Sequence, residues 1–110
     1  MMKNRGRKLE DDIIKDLGAK PHKNSGAMHK KLDGSDDEHS YEVKTTSARQ
    51  YIFKCSDWLE VKKQAILQHK EPVMVVAFDN NADMQGMEKI VIIDYEYFKE
   101  ILREQCYERE

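Results

Sequence analysis

The segment Glu42-Val43-Lys44 and the earlier Asp33 are the residues whose types and spacing could do chemistry. Side chains two apart on a strand project from the same face, so Glu42 and Lys44 would project together while Val43 turns toward the core. A turn after Asp33, nine positions earlier, would bring a second carboxylate alongside. Two carboxylates form a hard-oxygen site for Mg²⁺, and an ammonium group beside them favours metal-assisted cleavage of a phosphodiester.

The tripeptide occurs a second time, as Glu60-Val61-Lys62, in a stretch whose pattern predicts a helix. Residues two apart on a helix point about 200° apart around its axis, so this copy cannot form one site. With 36% charged residues in the chain, an isolated Glu-x-Lys is also compatible with two solvated charges at a strand edge. The residues around Glu42 and Lys44 therefore decide whether this copy predicts a functional site.

An acidic residue, Glu10, lies on the apolar face of the first expected helix, residues 4–17. The helical period places four apolar side chains on that face: Leu9, Ile13, Ile14 and Leu17. A carboxylate there is costly unless it pairs with a buried base or is directed at a metal, and both possibilities remain open at this point. Gly18 is the expected residue just past the helix end, and Pro21 confirms the break.

Seven further elements follow, and their order predicts a mixed sheet with helices on its faces. We expect a strand or extended piece up to Asp33, a turn over Gly34–Glu38, and strands over Ser40–Thr45 and Arg49–Lys54. A helix capped by Ser56 or Asp57 then runs to about His69. Strands over Val73–Phe78 and Ile90–Ile93 follow, and Asp94 caps a last helix. The order α-β-β-β-α-β-β-α indicates a five-stranded α/β or α+β protein, with residues 1–110 forming one domain.

The charge distribution is uneven, although the formal net charge is only −2. Residues 1–31 carry nine basic and four acidic residues, whereas residues 79–110 carry nine acidic and four basic ones. The basic third could face a phosphate backbone, although ordinary solvated surfaces would give the same counts. No run is apolar and long enough for a membrane helix or a secretory signal, so we expect a cytoplasmic protein with reduced Cys55 and Cys106.

Other chemistries have weaker support in this sequence. No phosphate-binding loop or dinucleotide fingerprint is present, so no small-molecule cofactor is expected. The four histidines lack zinc-ligand spacing, and the acidic run from Asp33 to Glu38 has its glycine in the wrong place for an EF-hand. Ser25 lacks the glycine frame of a hydrolase nucleophile, and Cys55 has no identifiable partner.

The order Glu10, Ser25-Gly26, Asp33, Glu42-x-Lys44 resembles the PD-(D/E)XK nuclease superfamily. It looks most like the small Holliday junction resolvases of archaea and the related short nucleases encoded by phages. The resemblance spans residues 5–78 and includes a later helix that contains Lys63. One departure is Leu32, which stands where the family usually has a proline. The resemblance implies a restriction-endonuclease-like sheet and a single nuclease domain.

The resemblance also implies roles for individual residues. Asp33 and Glu42 would be the main ligands of Mg²⁺, with Mn²⁺ able to substitute, together with the backbone carbonyl of Val43. Glu10 would complete the site directly or through a water molecule, and Lys44 would orient the attacking water or neutralise developing charge. A further group would contact DNA: Arg5, Arg7, Lys8, Ser25 and Lys63.

The function implied by the resemblance is a metal-dependent, structure-selective DNA endonuclease that resolves Holliday junctions in DNA recombination and works as a homodimer. Two alternatives stay open. One is a nicking, repair or restriction-type endonuclease acting on duplex or flapped DNA, and the other is an inactive DNA-binding module on the same fold. The expected location is the bacterial cytoplasm, or the host cytoplasm if a phage encodes the protein.

Overall fold

The computed structural model describes residues 5–22, 32–79 and 86–108, which form three helices and five strands. The elements in chain order are α1 Arg5–Asp16, β1 Lys20–Pro21, β2 Gly34–Ser35, β3 His39–Thr46, α2 Cys55–Leu67, β4 Glu71–Phe78, β5 Glu88–Ile93 and α3 Tyr95–Glu108. The strands form one sheet in the order β1-β2-β3-β4-β5, with β3 and β4 parallel and the other neighbours antiparallel. The predicted mixed α/β class, with a five-stranded mixed sheet and three helices, is confirmed, although two of the strands are not the predicted ones.

Helices cover the sheet on both faces, and each face has its own apolar cluster. On the α1 side, Ile13 and Ile14 pack against Tyr41, Val43 and strand β4. On the α2 side, the cluster comprises Leu32, Val61, Ala65 and Met74. Strand β4 lies between the two clusters and is buried from Pro72 to Ala77, as its continuous apolar run predicts. Among the helices that the structure describes, none is long and apolar enough to cross a membrane.

The predicted strand at Arg49–Lys54 is wrong. The chain bends over residues 47–49, and residues 50–54 then run irregularly into α2. Ile52 and Phe53 are 72% and 43% exposed and Tyr51 is half-buried, so no described residues cover this stretch on both faces as they would cover a sheet strand. The sheet position beside β3 belongs to β4, which is parallel and must be reached through a crossover,. Residues 47–54 are the first part of that crossover.

The hairpin before β3 also differs from the prediction. Gly34 and Ser35, expected in a turn, form β2, whereas Asp33 itself lies outside any strand. The strand paired with β2 on its outer side is the two-residue β1, which the sequence analysis did not predict. A β-carbon on Gly34 would lie 2.5 Å from Ile14 Cγ2 and 2.9 Å from the Lys20 carbonyl. Gly34 is therefore required by the close approach of α1 and β1 to this strand.

The helix ends agree with the prediction in two cases and differ in two. Gly18, with φ +76°, follows α1, and the Ala19 and Gly18 amides donate to the carbonyls of Ile14 and Lys15,. Asp94 accepts from the Glu96 amide at 3.1 Å and caps α3. The cap predicted for α2 at Ser56 or Asp57 is wrong, because Lys54 is the first flanking residue and makes no side-chain cap bond. Helix α2 ends at Leu67, two residues before His69.

His69 adopts the left-handed backbone conformation, with φ 59°, and its amide donates to the Ile66 carbonyl. A residue with a β-carbon is strained there and glycine is not, so His69→Gly should raise the free energy of unfolding by about 1 kcal/mol. Urea titration followed by circular dichroism measures the change. Gln68→Gly, at φ −101°, is the matched control and should lower stability. A loss of stability in His69→Gly would contradict this account of the helix end.

Candidate active site

Backbone pairing between β2 and β3 ends at the pair Gly34–Tyr41, and the two segments separate beyond it. A hydrogen bond from a side chain bridges the split between them. The Val43 amide donates to Asp33 Oδ2 at 2.8 Å. The N–H and C=O of one strand residue project to the same side, so the Val43 carbonyl also faces Asp33. The split between the strands thus contains a carboxylate, an amide and a backbone carbonyl.

Glu42 and Lys44 project from the same face of β3, as the strand period predicts. Lys44 Nζ lies 3.2 Å from Glu42 Oε2, and the two side chains are 38% and 8% exposed. Burial lowers the pKa of Lys44, but the negative charge of Glu42 and its hydrogen bond outweigh burial and raise that pKa overall. Lys44 is therefore a permanently charged ammonium group at the rim of a buried carboxylate.

Asp33 and Glu42 lie close enough to interact, and this proximity favours the protonated form of Asp33. Burial, a hydrogen bond to Glu42 and the negative charge of Glu42 raise the pKa of Asp33 to about 7, although the Val43 amide opposes the shift. When protonated, the carboxyl of Asp33 can donate to Glu42, while its Oδ2 accepts from the Val43 amide. Two carboxylates that share a proton can exchange that proton for a cation, because metal ligands must be deprotonated.

Glu10, on α1, lies close enough to Glu42 and Lys44 for their charges to shift its pKa, although α1 covers the opposite face of the sheet from α2. Its pKa is raised, first by burial and then by the negative charge of Glu42, while Lys44 and Arg7 lower it. The charge of Glu10 in turn raises the pKa of Asp33. The structure therefore brings the four predicted site residues, Glu10, Asp33, Glu42 and Lys44, within electrostatic reach of one another.

The donor set at this place fits a hard cation in its chemistry. It offers carboxylate oxygens from Asp33 and Glu42 and the carbonyl of Val43, which are the ligand types that Mg²⁺ prefers. Across residues 5–22, 32–79 and 86–108, no three acidic, histidine or cysteine side chains are arranged to hold a metal ion as they stand. To bind a cation, Asp33 would have to lose any bound proton, and the Glu42 carboxylate would have to contact both the cation and Lys44,.

Of the five residues predicted to contact DNA, the structure describes the side chains of three, on two different helices. Arg7 and Lys8 are exposed on α1, and Lys8 lies 3.5 Å from Asp12. Arg5 begins the same helix, but its side chain lies outside the described residues, as does all of Ser25. Lys63 is exposed on α2 and is not among the residues that line the cleft beside Glu42. The α1 residues are therefore the ones that the structure places nearest Glu10.

One wall of the site was not predicted from the sequence. A cleft of about 80 Å³ runs between β3 and α2 and includes both Glu42 and Lys44. Its α2 wall carries Asp57, Glu60 and Gln64 around the buried Val61. These four positions follow the i, i+3, i+4, i+7 spacing of one helix face, which was visible in the sequence. What the sequence did not reveal is that this face would lie over Glu42.

A second polar cluster holds the turn between β2 and β3. Asp36 accepts from the amides of Glu38 and His39 at 2.8 and 2.7 Å and from the Tyr41 hydroxyl at 2.6 Å. Burial raises the pKa of Asp36, but these bonds and that of the His39 ring outweigh it and lower the pKa to about 2. The other ring nitrogen of His39 meets the Tyr97 hydroxyl and fastens α3 to the sheet.

Comparison with known proteins found no match for this chain. No family model matches the chain, and no curated protein or solved structure matches it either. The class that the structure defines is a mixed α/β domain with a five-stranded sheet. Its function has to be argued from the site.

The two aspartates should respond oppositely to pH. The pKa of Asp33 is raised in the folded state from 3.8 to about 7, so its cost to stability grows as pH rises from about 4 through 7. In a buffer with EDTA, Asp33→Asn should raise the free energy of unfolding at pH 8 by about 1–2 kcal/mol, and the gain should vanish near pH 4. Thermal and urea unfolding between pH 4 and 8 measure the difference.

Asp36→Asn is the matched control, because the pKa of Asp36 is lowered in the folded state. Its contribution is present above about pH 4 and is lost as pH falls toward 2, so this variant should be less stable at pH 8. If Asp33→Asn is destabilised at pH 8 by as much as Asp36→Asn, the burial and pairing described for Asp33 are wrong.

Proposed function

We propose that this protein is a metal-dependent DNA endonuclease with a restriction-endonuclease-like fold, and that it resolves Holliday junctions. The observation that carries the proposal is the position of Asp33. Its carboxylate lies at the split between β2 and β3, bonded to the Val43 amide and adjacent to Glu42. Lys44, on the same face as Glu42, adds an ammonium group that can neutralise charge developing on the phosphoryl oxygens,.

Each residue at this site would have its own role in hydrolysis. Asp33 and Glu42 would hold Mg²⁺ together with the Val43 carbonyl, and Glu10 would contribute directly or through a water molecule. When bound, the cation would supply a Lewis acid for the phosphate and a water of lowered pKa. Lys44 would orient the attacking water or neutralise negative charge that develops on the phosphoryl oxygens.

The direction from which DNA approaches follows from the charges around the cleft. The α2 wall presents Asp57 and Glu60, which repel a phosphate backbone,. The first turns of α1 present Arg7 and Lys8, both exposed. These bases lie on the opposite face of the sheet from Lys44, so a strand that contacts both would have to pass the edge of β3 beyond the pair Gly34–Tyr41. The acidic wall would then keep the rest of the substrate away from α2.

A four-way junction is the proposed substrate, and cutting it symmetrically needs two active sites. The proposal therefore includes a homodimer, in which a twofold axis supplies the second site. Sedimentation equilibrium of the purified chain tests this part separately. A protein that remains monomeric with and without junction DNA would contradict the homodimer.

Cleavage of labelled DNA with Mg²⁺ tests the proposal directly. Asp33→Asn, Glu42→Gln and Lys44→Ala should each lower the rate by at least about 100-fold, because each removes a group that acts on the reacting phosphate. Four-way junction, flap and plain duplex are offered at equal concentration. Paired symmetric nicks confined to the junction are the expected products.

The chain contains matched controls for these substitutions. Asp37→Asn removes an exposed acid of the same turn, and Lys62→Ala removes the lysine of the second Glu-Val-Lys copy. Both should cut at rates within a few-fold of the wild-type protein. Equal cutting of plain duplex would favour a nicking or restriction-type enzyme. Tight binding without any cleavage would favour an inactive DNA-binding module.

The basic residues of α1 should set the salt dependence of DNA binding. The logarithm of the binding constant falls with the logarithm of salt concentration, with a slope of about −0.9 for each phosphate contact. Replacing Arg7 and Lys8 together by alanine should reduce that slope by roughly 2 and weaken binding to every DNA sequence alike. Fluorescence anisotropy between 50 and 200 mM salt measures it, and an unchanged slope would exclude α1 from the interface.

A further inference from the structure

His22, the residue that follows β1, makes three hydrogen bonds to the segment that carries Asp33. Its backbone amide donates to the Asp33 carbonyl at 2.8 Å. Its ring Nδ1 lies 2.8 Å from the Leu32 carbonyl, and its Nε2 lies 2.8 Å from Ser35 Oγ. A carbonyl oxygen can only accept, so Nδ1 donates to Leu32, and Nε2 accepts from the Ser35 hydroxyl in the neutral ring.

The three contacts lie on both sides of Asp33 and include Asp33 itself. Asp33 has no strand partner of its own, because β2 begins only at Gly34. Strands β1 and β2 pair through two residues each, which is a short ladder for fixing the direction of a neighbouring side chain. The ring of His22 is half-buried and bridges Leu32 to Ser35, so it fixes the backbone that aims the Asp33 carboxylate at the Val43 amide.

We propose that His22 is a positioning residue for Asp33, which it holds at the split between β2 and β3 in the orientation needed for a cation. The inference rests on the proposed function to the extent that Asp33 binds a metal. The hydrogen bonds themselves do not depend on it. A histidine that merely fastened β1 to β2 would stabilise the fold but would leave the Asp33–Val43 contact and cation affinity unchanged.

His39 offers a matched control for His22. Its ring is also half-buried and makes two side-chain contacts, to Asp36 and to the Tyr97 hydroxyl. It lies three residues along β3 from Glu42, which corresponds to about 10 Å. The His39→Ala variant therefore loses a comparable ring with comparable contacts, at a place that does not touch Asp33.

The first arm of the test is amide hydrogen exchange by NMR in EDTA, which needs neither metal nor activity. His22→Ala should speed exchange at the Val43 amide about fivefold relative to the Val75 amide on β4, because a hydrogen bond contributes roughly 1 kcal/mol. His22→Asn should restore slow exchange, since its amide group can still donate to the Leu32 carbonyl. His39→Ala should leave the Val43-to-Val75 ratio unchanged. If His22→Ala leaves that ratio unchanged as well, the proposal is overturned.

The second arm measures the affinity for Mn²⁺ alone, by electron paramagnetic resonance of free manganese. His22→Ala should weaken binding about 10- to 100-fold, the usual effect of removing a group that orients a metal ligand. His22→Asn should recover most of the affinity, and His39→Ala should match the wild-type protein. Equal affinity in His22→Ala and wild type would overturn the positioning role.

The two arms also separate this proposal from the proposed function. If the wild-type protein binds no Mn²⁺ and cuts no DNA, the proposed function fails, and so does the part of this proposal that concerns the cation. The exchange arm would then still decide whether His22 fixes the Asp33–Val43 contact. If the wild-type protein binds Mn²⁺ and cuts DNA while the Val43-to-Val75 ratio is unaffected by His22→Ala, only the role of His22 fails.

Discussion

The hydrogen bond from the Val43 amide to the Asp33 carboxylate stands where the sheet stops being joined by backbone alone. Up to the pair Gly34–Tyr41, strands β2 and β3 pair through their main chains. Beyond it, the side chain of Asp33 takes the place of the next ladder partner at 2.8 Å. This substitution places one acid inside a sheet edge and beside a second, Glu42, which is 8% exposed. The surrounding structure has to hold both carboxyl groups in place, and Lys44, Gly34 and His22 each contribute to that.

Two aspartates three positions apart show what their surroundings decide. Asp36 has amide, hydroxyl and ring donors around it, which stabilise its carboxylate and lower its pKa to about 2. Asp33 is largely buried and lies beside Glu42 with one amide donor, so burial and the neighbouring carboxylate raise its pKa to about 7. Carboxylates with raised pKa values cluster at functional sites, including sites that bind a cation. Asp36 is the structural residue of the pair, and Asp33 is the candidate functional one.

The sequence allowed the local parts of the site to be predicted. The strand period put Glu42 and Lys44 on one face, and the helical period put Glu10 on the covered face of α1. Both follow from geometry within a single element. The contacts between elements could not be predicted in this way. The period of residues 49–54 predicts a strand, but the parallel pairing of β3 with β4 turns that stretch into a crossover. The acidic face of α2 and the hydrogen bonds of His22 matter only because distant parts of the chain meet there. In the same way, the need for glycine at position 34 comes from the side chain of Ile14, which lies on another element.

The central claim is that Asp33, Glu42 and the Val43 carbonyl form one cation site at the split between β2 and β3. Anomalous diffraction at the manganese edge, from a crystal grown at neutral pH and soaked in Mn²⁺, tests it most directly. The account predicts an anomalous peak within about 2.0–2.4 Å of an oxygen from each of these three residues. A peak elsewhere on the molecule, or none at this split while Asp33 still contacts the Val43 amide, would contradict it.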